Sequence, residues 1–156
     1  MVIDCLNTHT IVSKILSGKS NMLNKKYITY CSWPAQKHGS PWRLGTNDCM
    51  TLLFECTDLM YSTDKHKTVL NKYNDVRSAI KFWRNMKTTT NQQMHLMGFR
   101  TVESAEEMDI GISCGVYPNA VFRHNGYWHG IQEGGVFGAF PMGLDEPVDI
   151  WRYKNG

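Results

Sequence analysis

The stretch TNDCMTLLFECTDLM, residues 46–60, sets a thiol, Cys49, directly after an Asn-Asp pair and at the start of an apolar helical pattern. Two chemistries fit a cysteine there. A helix N-terminus carries roughly half a positive charge from aligned peptide dipoles and unpaired N–H groups. That field favours thiolate over thiol, and the same N–H groups can receive an oxyanion. Such a nucleophile needs a base, usually histidine. The other fit is structural, because free cysteine is among the most buried residue types. If the first holds, Cys49 is expected to alkylate faster than Cys5, Cys31, Cys56 and Cys114.

Other groupings carry less. His124, His129 and Glu133 fall near one another in the chain, but without the compact spacing of a metal site, so neither metal nor cofactor is expected. The glycines between Gly126 and Gly143 precede no helix that would present N–H groups to a phosphate, and hairpin turns account for them. Arg77, Lys81, Arg84 and Lys87 form a basic helical stripe, read as a solvated face with aliphatic stems in preference to a nucleic-acid surface. Trp33, Trp42, Trp128 and Trp151 read as core or rim aromatics.

The elements that must position Cys49 divide into two halves. Residues 1 to about 100 read as helical: an arm at Thr8–Leu16 with Ile11, Val12, Ile15 and Leu16 on one stripe and Gly18 as a stop, and a helix from Cys49 to Tyr61. That second helix should bury Leu52, Leu53, Cys56, Leu59 and Met60, with Asn47 or Asp48 as cap. A third helix is expected over about Lys72–Lys87 with the stripe Val76, Ala79, Ile80, Trp83 and Met86, and a short fourth over Gln92–Met97. From Asp109 onward DIGISCGV, NAVFRH, YWHGIQ, GVFGAFPM and VDIWRYK read as short strands, with turns at His124-Asn125-Gly126 and Glu133-Gly134-Gly135. Helices followed by a meandering antiparallel sheet make an α+β domain. With 156 residues, 42% hydrophobic and 20% charged, the chain suits one soluble domain with a real core. No apolar run approaches the roughly 20 residues a membrane helix needs, and MVIDCLNTHT lacks the blocks of a signal peptide. Five cysteines, an odd number, read as reduced thiols of cytosolic synthesis, and a net charge of +3 does not by itself argue for an acidic partner.

The order of these parts resembles the NlpC/P60 branch of the papain-like cysteine peptidases, and more narrowly the divergent proteins of that kind encoded in phage and prophage tail regions. SPWRLGTNDCMTLLFE resembles their aromatic, Gly, Asp-Cys opening, and KYNDVRSAIKFWR the aromatic and basic helix after the cysteine. ESAEEMDIGI resembles the entry to their first strand, with Met108-Asp109 where Gly-Asp is usual; GVFGAFPMG and DIWRYK resemble the last two strands. The resemblance covers about residues 40–153.

It implies a papain-like NlpC/P60-type domain over 26–156; the arm, 1–25, precedes the matched span, and its apolar stripe, with no core of its own to cover, is expected to dock on a partner. Active members place the catalytic histidine at the start of the second strand. Aligned strand for strand, that slot holds Asn119, and His129 takes the slot of the residue that orients the histidine. An amide has no nitrogen that titrates near neutral pH, so it cannot serve as the base. A second alignment makes His129 the base of a Cys49–His129 dyad but removes one strand, and the first uses every apolar segment. Two functions follow. One is a virion structural or assembly protein at the tail or its connection, made in the host cytoplasm and contacting other virion proteins. The other is a cysteine amidase or peptidase cleaving peptidoglycan stem peptides.

Overall fold

A computed structural model describes residues 21–113, 119–141 and 149–154. The expected arm helix at Thr8–Leu16, Cys5 and Cys114 lie outside the described residues. Five helices come first: α1 (Asn21–Lys37), α2 (Cys49–Tyr61), α3 (His66–Val69), α4 (Val76–Asn85) and α5 (Thr90–Leu96). Six strands follow: β1 (Phe99–Val102), β2 (Ile110–Ser113), β3 (Asn119–His124), β4 (Tyr127–Ile131), β5 (Phe137–Ala139) and β6 (Asp149–Tyr153). They form one sheet in the order β1-β6-β2-β3-β4-β5, and every neighbouring pair is antiparallel. The protein is therefore α+β, with its helices N-terminal to its antiparallel sheet.

α2 is the central helix and lies on β3. Its boundaries are those of the apolar pattern, because Asp48 closes its N-terminus and Ser62 takes the left-handed conformation at its end. Leu52, Leu53, Cys56 and Met60 are buried as expected, whereas Leu59 is exposed. At about 100° per residue, Leu59 falls outside the arc shared by the other four. α1 packs beside α2 and sends Tyr30 and Trp33 onto the sheet, where Trp33 meets Phe122 and Phe137 edge-on at 4.9 and 5.6 Å. Strand alternation sends Ala120 and Phe122 into this main core and Val121 to the opposite face. There Val121 joins Trp128 and Ile150 in a smaller cluster.

The sheet is locked at the entry to β2. Asp109, at the entry to β2, is buried and accepts Arg152 of β6 at both oxygens, at 2.9 and 2.8 Å. This fork-on-fork geometry is the strong form of the ion pair. The preceding Met108 sits at φ +71°, the left-handed region that favours glycine. The β3–β4 turn, Asn125-Gly126, has φ of +52° and +78°, the signature of a tight hairpin turn. Along β5 the loop after α1 covers the open edge, with Gly39 N–H donating to Phe137 O at 2.8 Å and Trp42 N–H to Gly135 O at 2.7 Å.

That loop then doubles back into α2. Gly45 has φ +80°, and its amide donates to the Asp48 carboxylate at 2.6 Å. A Cβ at Gly45 would lie 1.8 Å from the Tyr73 carbonyl oxygen. Gly45→Ala is therefore expected to destabilise the fold by about 3 kcal/mol, the sum of a left-handed non-glycine residue and a backbone clash. Urea unfolding of the two proteins measures it, and a loss under about 1 kcal/mol would show that the loop yields freely.

Candidate functional site: the Cys49 helix terminus

Asp48 builds the site. Its buried carboxylate accepts the amides of Met50 and Thr51, each at 3.0 Å, that of Gly45, and the Tyr73 hydroxyl at 3.2 Å. In return the Asp48 amide donates to Thr51 Oγ1 at 2.9 Å, completing a reciprocal capping box. Asn47 does not cap the helix. Its side-chain amide donates to the Pro41 carbonyl at 2.6 Å and to Ser40 Oγ at 3.0 Å, holding the approach loop closed. Cys49 is thereby fixed as the first residue of α2, half-buried against the main core.

The Cys49 thiol donates to Asn119 Oδ1 at 2.8 Å, across the start of β3. The backbone amide of Ala120 lowers the thiol pKa in part. Of the three site residues expected from the sequence, the structure brings Cys49 and Asn119 together and holds His129 apart. The β3–β4 register sets His129 opposite Phe122. That is three residues along β3 from Asn119, about 10 Å at roughly 3.3 Å per residue. His129 Nε2 instead lies 3.2 Å from the His124 carbonyl, and its ring lies 5.6 Å from that of His124. His124 pairs with Glu107 at 2.7 Å and packs edge-on against Tyr30. Burial lowers the His129 pKa. The Cys49–His129 dyad of the second alignment is thus not assembled; the histidine belongs to the far end of the hairpin.

The electrostatics of the sulfur also reverse the expectation of a helix-activated thiolate. Burial first, and the Asp48 carboxylate second among the raising influences, push the Cys49 thiol up to about 11, against partial relief from the Ala120 amide. The helix terminus does offer a positive field, but Asp48 sits in that field and consumes it. Among the described residues, no cationic side chain lines the site to replace it.

Beside Cys49 opens a cavity of about 450 Å³. Its walls are Trp42, Leu44, Met50, Tyr73, Val76 and Trp83, with Thr88, Thr89, Thr90 and Gln93 on one side. Tyr73 is a site residue that sequence reasoning misses: it reaches Asp48 across 25 positions of chain, and no local pattern marks such a contact. The cavity also corrects the expected burial of α4. The apolar stripe predicts that Val76, Ala79, Ile80, Trp83 and Met86 are buried. Only Ala79 is, because α4 borders open space on the face where a second packed element would sit. α4 starts at Val76, since Asp75 caps it and the chain before it is irregular so that Tyr73 can turn inward. Trp42 is 44% exposed at the rim, while Trp33, Trp128 and Trp151 are buried.

Among the described residues no group of three His, Cys, Asp or Glu side chains is placed to hold a metal ion, and no helix is long and apolar enough to cross a membrane. Compared with protein-family models, curated proteins and solved structures, the chain matches none.

A thiol raised from 9 to about 11 exposes roughly a hundredfold less thiolate at neutral pH, since each unit is a factor of ten. Iodoacetamide is therefore expected to label Cys49 about a hundred times more slowly at pH 7.5 than an ordinary free thiol, with the rate still climbing above pH 9 where the free thiol levels off. Mass spectrometry of timed samples measures this, and labelling at the free-thiol rate would show that the helix terminus activates the sulfur after all.

Proposed function

We propose that this chain is a non-hydrolytic domain of the NlpC/P60-like, papain-like kind, serving as a structural or assembly component of a phage tail or its connection. The observation that carries the reading is the hydrogen bond from Cys49 to Asn119. The position that would hold a proton acceptor beside the thiol holds an amide instead, and an amide takes no proton near neutral pH. The high thiol pKa points the same way. Support for the family comes from parts that agree independently. A buried Asp precedes a helix-opening Cys, that Cys meets the start of the strand expected to oppose it, and Met108 adopts a glycine-like backbone where the resembled family has glycine. The tail assignment follows from the resemblance to phage-encoded relatives, and its partners would be other virion proteins.

A hydrolase reading has Cys49 attack a peptidoglycan stem-peptide carbonyl while His129 carries the proton. That requires the imidazole within roughly 3 to 4 Å of the sulfur, and the hairpin register separates them. Incubation of the purified protein with peptidoglycan fragments decides between the readings. The expected result is no release of peptides above that of Cys49→Ala, together with Cys49→Ala protein entering purified particles as the native protein does. Turnover lost in both Cys49→Ala and His129→Ala would overturn the non-hydrolytic reading. Absence of the chain from purified particles would overturn the structural one.

A further inference from the structure

The cavity beside Cys49 and the exposed side of α4 form one continuous surface with two chemistries. Inside, the walls are mostly aromatic and aliphatic, with Thr88, Thr89, Thr90 and Gln93 on one side, and the one carboxylate among the described lining residues, Asp48, is already bonded to four donors. At the rim three large apolar side chains face solvent: Trp42, Val76 at 53% and Ile80 at 36% exposure. Surface of this kind next to a preformed cavity marks a binding site more often than a plain solvated face.

Along one flank of α4, Arg77, Lys81 and Arg84 recur at i, i+4 and i+7, so they stand in a row beside Val76 and Ile80. None of the three is in an ion pair among the described residues. The flanking chain adds Lys72 and Lys87, and its single acid, Asp75, is engaged in capping α4. Asp75 offsets Arg77 in part, so the basic row keeps a net positive charge, and it lies against a largely apolar opening.

We propose that this surface docks an acidic protein segment carrying one bulky apolar residue, which enters the cavity while its flanking carboxylates pair with Arg77, Lys81 and Arg84. Charge complementarity selects the acid flank, and the apolar walls select the anchor. A cavity of about 450 Å³ admits a large side chain. Nucleic acid fits less well. A base inserted among Leu44, Met50, Val76 and Ala79 would meet polar partners only on the side of Thr88, Thr89, Thr90 and Gln93, whereas an apolar side chain has no polar edge to satisfy. The inference deepens the non-hydrolytic reading of the same site, since a docked segment has to remain uncut.

The test uses the full chain and fluorescein-labelled peptides of glutamate and aspartate around a central tryptophan. Controls are the same peptide with a central serine, a lysine-flanked counterpart, and an oligodeoxythymidine. Fluorescence anisotropy should show saturable binding of the tryptophan peptide that weakens as salt rises. The serine peptide, the Trp42→Ala variant and the triple variant Arg77→Glu, Lys81→Glu, Arg84→Glu should each bind about tenfold more weakly or worse. All the substituted residues are exposed, and circular dichroism verifies that the variants fold. Equal binding of the serine peptide, preference for the lysine-flanked peptide, tighter binding of the oligonucleotide, or no binding of any probe would each overturn the proposal. Mass spectrometry of the recovered peptide separates the two readings: a cleaved peptide would sink the non-hydrolytic assignment while leaving the docking surface standing.

Discussion

The Asp48 carboxylate is the constraint on which the rest of the site depends. It draws together an approach loop through Gly45, a helix terminus through Met50 and Thr51, and a distant turn through Tyr73. A buried carboxylate without a cationic partner costs several kcal/mol in an apolar setting, and its hydrogen bonds must offset that. Four donors converge here, two of them the otherwise orphaned first amides of α2. The same residue therefore starts the helix, closes the loop and sets the wall of the cavity.

Asp48 also governs what Cys49 can do. A helix terminus activates a thiol only while its positive field is free. Here the cap occupies that field, and a negative charge beside the sulfur adds to the effect of burial. With Asn119 accepting the S–H proton, the thiol behaves as a fixed donor and a packing group. In this respect the site is a structural joint between α2 and β3. The unfilled space lies to its side, under an amphipathic helix that is held by Trp83, stacked on Phe54 and edge-on to Tyr73, and by Phe82, tilted against Tyr73.

Much of this is legible in the chain itself. The limits of α2 follow from its cap and periodicity. The five strands from Ile110 onward follow from short apolar runs between turn residues, whereas the adjacency of Cys49 and Asn119 is reached only by setting those runs against the family the sequence resembles. The misses have physical causes. α1 escapes notice because Pro34 lies inside it and its apolar residues keep no clean period, although Tyr30 and Trp33 anchor it. α1 also begins at Asn21, so a boundary drawn at residue 25 falls inside a helix. β1 is hidden because only Phe99 of its four residues is buried. The α4 stripe resembles core because a sequence cannot distinguish a face against a neighbour from a face against a cavity. The expected direction of the thiol shift counts the helix dipole without the burial that chiefly raises the pKa and the capping carboxylate that adds to the rise.

The most direct measurement is the pKa of Cys49 in the intact protein, followed by the ¹³Cβ shift of labelled cysteine and assigned by comparison with Cys49→Ala. A midpoint near 11 is the expected result, given a thiol held by burial, by Asp48 and by Asn119. A midpoint below about 7, in the range of activated cysteines, would contradict the view of Cys49 as a structural joint and restore it as a nucleophile.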